Sequence, residues 1–421
     1  MEPGLMVTLT TEKPVAGGWM LARDDGAIVF VAGALPGEIV DARIRRVQKG
    51  TAWADVVAIR QASPDRTGDY APCGGNVLAH ASYDAQLRMK AAIIDDAFRR
   101  VGRCPLPALP EIVPSPVRGY RMRARLHVQD GRVGFFREQT HELCAVTDTG
   151  QLSLGAEAVV EALQAHGAAL RQAGASVIEL SENREGNERA LHVVLRPGGD
   201  GAALAAVAGL EGVTGLSWSI DGSPRVTVLA GQVEVHESFV HGAQQWTLAR
   251  NVRSFFQGNR FLLDALVQHV CGQLHRGGVA DLYAGVGLFS VAATALGHVP
   301  VVAVESDPVA GHDLRANGRE WRGLLQTKVT PVEDYLRGQR ALSVATVIVD
   351  PPRTGLSRQV LGQLVDRKVA RVVYVSCDVA TLARDARHWL DAGYRLGDVR
   401  AFDLFPQTAH IETVAVFDWS A

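Results

Sequence analysis

From about residue 251 onward, helical patterns alternate with short strands that are apolar along their whole length. Such strands are buried on both faces of a sheet, and the intervening helices impose right-handed crossovers. The pattern therefore predicts an α/β domain with a mostly parallel, Rossmann-like sheet. Ligands bind such sheets beyond the carboxyl ends of the strands, so the polar residues that end them are the functional candidates. The strands are predicted in VADLYAG, VPVVAVE, VATVIVD and RVVYVSC.

The remainder of the chain has two other patterns. Short β-branched runs separated by glycines predict a small OB-like β-barrel at the start. A turn-rich connector then leads to a helix with Ser82 at its cap position, and strands mixed with alanine-rich helices predict a central α+β domain. The predicted boundaries are 1–62 for the barrel, 63–250 for the central domain and 251–421 for the catalytic domain.

The formal net charge of -2 gives no global signal for nucleic acid, so an RNA partner would need a local basic patch. Residues 98–137 contain nine arginines and only two acidic residues. Arg121, Arg123 and Arg125 would share one face of a predicted strand by its two-residue period, where guanidiniums can meet phosphates. The alternative is a solvated arginine-rich face.

The cysteines and the hydropathy pattern bear on compartment. An odd number of cysteines, none within three residues of another, argues against a disulfide framework and against a zinc site. The prediction is free thiols in a reducing compartment. No apolar run is long enough to span a membrane and no signal-peptide pattern begins the chain, which predicts a soluble, cytoplasmic protein, with monomer as the default. The cysteines are Cys73, Cys104, Cys144, Cys271 and Cys377.

The first strand of the α/β domain runs into DLYAGVGLFS. Gly285 and Gly287 allow a tight turn and a close backbone approach to a ligand before a helix N-terminus. The next strand ends in Glu305, where an acid typically accepts hydrogen bonds from ribose hydroxyls. Together they predict an adenosine-type cofactor, and they leave NAD and S-adenosylmethionine both open.

Two later strand ends carry further chemistry. Asp350 is followed by two prolines, which cannot continue a ladder and predict a rigid shelf beside the cofactor. Cys377 ends a buried strand before Asp378, a candidate helix cap. A thiol at a helix N-terminus can have a lowered pKa and act as a nucleophile, although a buried structural cysteine is the alternative. Glu412, half-buried at the start of the last strand, is a candidate general base.

The segments FFQGN, DLYAGVG, DPPRTGL, YVSCDVATLARD and FPQTAHIE, in this order, resemble the uridine-5 RNA methyltransferases, and GGWMLARDDGAIVFVAGALPGE resembles their TRAM domain. The resemblance covers essentially the whole chain and implies an S-adenosylmethionine-dependent enzyme that forms 5-methyluridine. It implies that Cys377 adds to uracil C6, that C5 takes the methyl group, and that Glu412 removes the C5 proton from a flipped-out base.

The resemblance also implies a cofactor and target pocket. It places Glu305 on the ribose, Tyr283 and the glycine loop along the methionine end, and Asp350 near the reacting base. Gln257 would line the same pocket, and Glu333 is a candidate for the adenine amino group. The implied substrate is 23S ribosomal RNA, with the T-loop of transfer RNA as the alternative.

The chain departs from the family pattern in two places. Many relatives hold an iron–sulfur cluster with four cysteines, whereas here Asn76 and Gly150 stand at two of the ligand positions and Cys144 lies six residues early. Because one or two thiolates cannot hold such a cluster, none is expected, nor any other metal. Leu288 stands where several relatives have an asparagine near the cofactor, which puts that contact in doubt.

Two alternatives come from other classes. An NAD-dependent oxidoreductase would explain the glycine loop and Glu305, but not Asp350 with its prolines or Cys377. A non-catalytic RNA-binding factor would use the barrel and the arginine face over a decayed catalytic domain, and the presence of both Cys377 and Glu412 argues against it.

Overall fold

The computed structural model describes residues 1–70, 73–138, 140–339 and 342–420. At the start of the chain five strands close into a barrel in the order β1-β2-β3-β5-β4, with β3 and β5 parallel. Inward-facing apolar side chains fill its interior. The predicted barrel is confirmed. Its strands are β1 Met6–Val15, β2 Trp19–Asp24, β3 Ala27–Ala32, β4 Ile39–Gln48 and β5 Thr51–Gln61.

The first helix, α1 (Tyr83–Arg100), follows the connector. Ser82 caps it as predicted, because its hydroxyl accepts a hydrogen bond from the Ala85 N–H at 3.3 Å. Such a cap contributes about 1 kcal/mol to helix stability.

Helix α1 is apolar on two sides and packs against two different cores. Met89 belongs to the barrel core, whereas Ile94 and Phe98 belong to a core of the C-terminal sheet. The next strand, β6 (Glu111–Val113), also joins that sheet, as its edge strand beside β21. The segment from α1 to β6 was predicted to lie within the central domain, 63–250. The sequence shows that α1 has apolar faces, but it does not show which surfaces these faces pack against.

The central region is a seven-stranded sheet in the order β13-β12-β11-β10-β7-β8-β9, followed by a separate hairpin of β14 and β15. Helices α2 and α3 cover one face and enclose a core of aliphatic side chains. The elements are β7 Arg123–Gln129, β8 Arg132–Phe136, β9 Leu143–Cys144, a 3-10 turn Val146–Asp148, α2 Leu154–Ala165, α3 Gly167–Ala173, β10 Ala175–Glu182, β11 Arg189–Leu195, a 3-10 helix Gly201–Val207, β12 Gly215–Ile220, β13 Val226–Gly231, β14 Glu234–His241 and β15 Gln244–Asn251.

The C-terminal region is an eight-stranded sheet in the order β18-β17-β16-β19-β20-β22-β21-β6. Strands β16 to β20 are parallel, and β22 runs antiparallel between β20 and β21. Two cores cover its faces, which confirms the predicted α/β fold. The elements are α4 Leu263–Gly272, β16 Val279–Leu282, α5 Leu288–Ala295, β17 Val301–Glu305, α6 Pro308–Asn317, a 3-10 turn Arg319–Trp321, β18 Leu325–Val329, α7 Val332–Gly338, β19 Thr346–Val349, α8 Arg358–Asp366, β20 Arg371–Ser376, α9 Val379–Asp391, β21 Tyr394–Phe402 and β22 Glu412–Trp419.

A disulfide joins Cys73 in the connector to Cys144 in β9, with the Cα atoms 5.9 Å apart. The prediction of free thiols is therefore wrong for these two cysteines. Their separation of 71 residues hid the pairing, because only the folded chain brings the connector beside the central sheet. Cys104, Cys271 and Cys377 are free thiols. In the described part of the chain, no helix has the length and apolar character needed to cross a membrane.

Replacement of Cys73 by serine should lower the thermal stability of the oxidised protein. A cross-link that closes a loop of this length removes about 4 kcal/mol of denatured-state entropy in the chain-entropy model. We expect a reductant to lower the melting temperature of the wild type and to leave that of Cys73→Ser unchanged. Cys104→Ser, which removes a free thiol, is the control and should respond to reductant like the wild type. A wild-type melting temperature that is insensitive to reductant would contradict the bond.

Candidate active site

The loop after β16 forms a cradle at the carboxyl edge of the sheet. Tyr283, Gly285 and Gly287 all have positive φ, at 66°, 56° and 101°, so the chain turns sharply into α5. The φ of Gly287 favours glycine, and a Cβ atom there would also lie 2.9 Å from Cδ1 of Leu314. A Cβ at Gly285 would meet open space, so the backbone of this residue is open to a ligand.

Glu305 lies beside this loop at the end of β17. Its Oε2 accepts a hydrogen bond from the Gly285 N–H at 2.8 Å, and its Oε1 accepts one from Ser306 and one from Asp307, each at 2.6 Å. The backbone amides therefore fix the carboxylate across two strand ends. Because a carboxylate oxygen can accept two hydrogen bonds, Oε2 keeps capacity for a ligand hydroxyl. These residues thus fit the ribose of an adenosine-type cofactor.

Two more acids lie at this edge. Burial raises the pKa of Asp281 to about 8 and that of Asp350 to about 7. The charge of Glu305 raises the pKa of Asp350 further, while a hydrogen bond from Gln257 Nε2, at 3.3 Å, opposes the rise. A positive charge beside these carboxyls would favour their ionised forms.

Cys377 and Glu412 are brought together by the pairing of β20 with β22. Ser376 at the end of β20 lies opposite Thr413 in β22. Cys377 directly follows Ser376, and Glu412 directly precedes Thr413, so this pair of residues brings the two groups to the same end of the ladder. The charge of Glu412 raises the pKa of Cys377, as expected of neighbours. The two predicted catalytic residues therefore share one site.

The pKa of the Cys377 thiol is raised to about 11, which corrects the prediction of a lowered value. Burial is the largest cause, and the charges of Glu412 and Asp350 add to it. The charge of the Arg353 guanidinium opposes the rise. The predicted cap is present, since Asp378 accepts a hydrogen bond from the N–H of Thr381 at 2.9 Å. In the protein without ligands, burial therefore has a larger effect on the pKa of the Cys377 thiol than the N-terminus of α9 has.

Glu412 is more deeply buried than predicted, at 2% exposure. Its pKa is raised well above its ordinary value, first by burial and then by the charge of Asp350, while Arg353 opposes the rise. In the free protein Glu412 therefore holds its proton to a higher pH than an exposed glutamate does. A nearby positive charge would favour the carboxylate that a general base requires.

The loop after β19 is tied to helix α9. The Asp385 carboxylate accepts hydrogen bonds from the Leu356 N–H at 2.9 Å and from the Tyr374 hydroxyl at 2.8 Å. The Thr381 hydroxyl bonds the carbonyl oxygen of Arg353 at 3.3 Å. These contacts hold Arg353 beside Cys377. Sequence reasoning gave Arg353 no role, although its position directly after the two prolines of a strand end was a usable signal.

The remaining residues predicted for the cofactor pocket lie around the same loop. Glu333, in the first turn of α7, accepts a hydrogen bond from the Ser357 hydroxyl at 2.8 Å. Burial and the charge of Glu333 both raise the pKa of Tyr283, which puts these two residues near each other. Leu288 begins α5 and is buried in the core, where an apolar side chain is suited. Its side chain therefore serves packing.

The three predicted RNA-binding arginines have different surroundings. Arg121 precedes β7 and its guanidinium bonds Gln151 Oε1 at 2.5 Å. Arg123 lies in β7 with its guanidinium 5.7 Å from the ring of Phe255, a side chain that is 63% exposed. Arg125 shares the face of Arg123 and its side chain is 64% exposed. The three arginines were predicted on one strand. In the structure Arg123 and Arg125 belong to β7, whereas Arg121 lies outside the strand and is half-buried.

Comparisons with known proteins agree with this architecture. The TRAM domain model matches residues 5–57, and the tRNA (Uracil-5-)-methyltransferase model matches residues 337–418. The 23S rRNA (uracil(1939)-C(5))-methyltransferase of Pseudomonas putida is 30% identical over 97% of this chain and 93% of its own length. The enzyme of the same name from Methylococcus capsulatus is 32% identical over 94% of each chain.

A solved structure supports the fold over the whole chain. The crystal structure of the Pyrococcus abyssi tRNA (uracil-54, C5)-methyltransferase in complex with S-adenosyl-L-homocysteine has a TM-score of 0.75 and 24% identity, and the match covers 97% of this chain and 99% of that one. Fold and site together define a methyltransferase domain carrying a TRAM barrel. Given the relatives that are 30% or more identical over nearly its full length, the chain belongs to the RNA uracil-C5 methyltransferases, enzymes that use S-adenosylmethionine. This membership favours methyl transfer over the oxidoreductase alternative.

Alkylation of Cys377 by iodoacetamide should be slow at neutral pH and accelerate with pH. Because only the thiolate reacts and the pKa of Cys377 is about 11, the rate should rise about tenfold per pH unit between pH 8 and 10. Above the pKa of Glu412, the variant Glu412→Gln should react faster, since loss of a neighbouring negative charge lowers the thiol pKa. Mass spectrometry on a Cys104→Ser background would follow the modification. A rate that levels off below pH 8 would restore the lowered pKa predicted from the sequence.

Proposed function

We propose that this protein methylates C5 of a uridine in 23S ribosomal RNA, using Cys377 as the nucleophile and Glu412 as the general base. The observation that supports the proposal is the pairing of β20 with β22, which ends at Ser376 and Thr413, the residues next to the thiol and the carboxyl. Two groups of this kind suffice, because one forms the covalent adduct and the other lets it collapse.

The reaction begins at C6 of the uracil ring. The Cys377 thiolate, formed by loss of its proton to water, adds to C6, and the electron pair of the C5–C6 double bond moves into an enolate that ends on O4. The positive charge of Arg353 favours the thiolate before attack. C5 then carries the electron density that methylation requires.

Glu412 completes the reaction. Its carboxylate takes the C5 proton, the C–H electron pair restores the C5–C6 double bond, and the bond from C6 to Cys377 breaks to return a thiolate. S-adenosylmethionine supplies the electrophilic methyl group and a sulfonium charge that favours the ionised forms of nearby carboxyls. Glu305 and the backbone at Gly285 would hold its ribose and methionine end, with Asp350 and Gln257 at the side of the target base.

The choice of RNA rests on the relatives. Two relatives that match over nearly the whole chain, at 30% and 32% identity, are named for uracil 1939 of 23S rRNA, and others at similar identity are named only as RNA methyltransferases. The structural neighbour named for transfer RNA is 24% identical. Transfer RNA is therefore the second candidate. We place the enzyme in the cytoplasm, where ribosomal RNA is processed, and expect it to act as a monomer.

The RNA would enter across the barrel and the edge of the central sheet. The exposed ring of Phe255, with Arg123 beside it, lies two residues before Gln257 of the target pocket. Arg125 extends this surface along β7. Exposed rings and guanidiniums together suit a single-stranded loop whose bases have left their stack.

Methyl transfer should depend on Cys377 and be specific for one RNA. We expect radiolabelled methyl from S-adenosylmethionine to appear as 5-methyluridine in 23S ribosomal RNA from an unmethylated host with the wild type. The variant Cys377→Ala should transfer none, because the C6 adduct cannot form. Label in transfer RNA alone would favour the second substrate. Label that persists with Cys377→Ala would mean that the cysteine is structural, and RNA binding without methyl transfer by the wild type would favour the non-catalytic alternative.

Replacing Arg125 with alanine should weaken RNA binding and reduce the slope of log affinity against log salt by about one, as expected for one lost phosphate contact. Affinity for S-adenosylmethionine should not change. Arg337→Ala is a matched control, because Arg337 is also 64% exposed and paired with one acid, Asp334. Filter binding at several salt concentrations would measure both. Equal salt slopes for the two variants would assign Arg125 to an ordinary solvated surface.

A further inference from the structure

The residues between β21 and β22, 403–411, form a loop that leads directly into Glu412; we name it the base loop. It lies outside the strand ladder, so sheet pairing does not fix its path. The base loop connects Phe402 to Glu412, which pair with each other in the ladder of β21 and β22. The contacts that hold the base loop therefore act together with this pairing on the position of Glu412.

Helix α1 supplies a buried ion pair to this loop. The Lys90 ammonium donates to Asp403 Oδ1 at 2.5 Å and to the carbonyl oxygen of Phe405 at 3.0 Å. The side chains of Lys90 and Asp403 are both fully buried. The Tyr83 hydroxyl donates to Asp403 Oδ2 at 2.9 Å, which satisfies the second oxygen of the carboxylate. A buried charge pair with its hydrogen bonds complete has one well-defined geometry.

The same helix makes a reciprocal amide contact further along the loop. Gln86 Nε2 donates to Gln407 Oε1 at 2.8 Å, and the Gln407 N–H donates to Gln86 Oε1 at 3.0 Å. The backbone φ of Gln407 is 66°. A residue other than glycine adopts this left-handed conformation only when its surroundings enforce it. Residues 83, 86 and 90 share one face of α1 by helical spacing, so a single helix face holds both ends of this turn.

The barrel and the loop at Asn259 enclose the base loop from other sides. The Leu78 N–H donates to the carbonyl oxygen of Gln407 at 2.8 Å, and Ala409 packs against the barrel core. Asn259 Nδ2 donates to the carbonyl oxygen of Leu404 at 3.1 Å. The base loop is thus held between α1, the barrel and the loop at Asn259. Helix α1 contributes the charged and amide contacts.

We infer that Gln86 and Lys90 are positioning residues that act on Glu412 through the base loop. The inference rests on the proposed function in that Glu412 is the base for the C5 proton. The affected step is that proton transfer: the carboxylate of Glu412 gains the proton, the C5–C6 double bond forms again, and the bond from C6 to Cys377 breaks. Attack by Cys377 and methyl transfer precede it, and they use groups held by β20 and the loop after β19.

The test is Gln86→Leu, which keeps a buried side chain of similar size and removes both reciprocal hydrogen bonds. With 23S ribosomal RNA transcript as substrate, we expect kcat to fall at least about tenfold, because small misplacements of a catalytic group have large effects on rate. KM for RNA and for S-adenosylmethionine should stay within about twofold of wild type. The methylated enzyme–RNA adduct should accumulate and be visible on a denaturing gel.

A second substrate separates the steps. In RNA transcribed with 5-fluorouridine, C5 carries no proton to remove, so the adduct is trapped after methyl transfer. Its rate of formation should be the same for wild type and Gln86→Leu. An equal slowing of trapping and turnover, or an unchanged turnover, would overturn the inference.

Two controls and a reserve variant keep the outcomes distinct. Gln363→Leu makes the same replacement on α8, where the side-chain oxygen accepts no hydrogen bond, and should behave like wild type. Glu412→Gln should accumulate the adduct; if it does not, the general-base role fails, whatever Gln86→Leu shows. If Gln86→Leu does not fold, Tyr83→Phe, which removes one hydrogen bond to Asp403, should shift kcat and adduct level in the same direction, and no shift would overturn the inference.

Discussion

The catalytic arrangement depends on the direction of one strand. Parallel strands β16 to β20 present their carboxyl ends at a common edge, which puts the glycine loop, Glu305, Asp350 and Cys377 there. Strand β22 runs the other way, so it is its first residue, Glu412, that reaches this edge. A parallel strand in the same place would carry Glu412 to the opposite edge. The antiparallel insertion of β22 is therefore what brings acid and thiol together.

Burial sets the protonation of the site. The pKa values of Cys377, Asp350 and Glu412 are all raised, because taking charge out of water is unfavourable and the acids repel one another. Each of these three groups therefore holds its proton to a higher pH in the free protein than it would in water. The charge of Arg353 lowers the pKa values of Cys377 and Glu412, and a cationic ligand would lower them further. We expect the reactive ionisation states to develop mainly when the cofactor is bound, which also keeps the thiol unreactive in its absence.

The barrel and the catalytic domain share structural elements. Helix α1 packs on the barrel core with one side and on the C-terminal core with another, and its polar side chains bond the base loop. Strand β6 then extends the catalytic sheet. Along the chain, α1 and β6 stand between the barrel and the central sheet. The Cys73–Cys144 disulfide also links the connector to the central sheet. The barrel and the central sheet are thus joined to the site through packed elements.

The sequence by itself determined the elements and their chemistry. Strands that are apolar along their whole length, the Ser82 and Asp378 caps, and the polar residues at strand ends are local properties, set by propensity and hydrogen bonding within a few residues. From these alone the α/β domain, the barrel and the positions of Cys377 and Glu412 could be predicted.

Only the tertiary structure decided how these parts act on one another. The raised pKa of Cys377 follows from desolvation and neighbouring acids, which outweigh the helix terminus that the sequence shows. The disulfide, the buried pair of Lys90 with Asp403 and the membership of β6 in the last sheet join residues far apart in the chain. Such contacts depend on strand direction and on packing between domains, and a single sequence encodes neither in any local pattern.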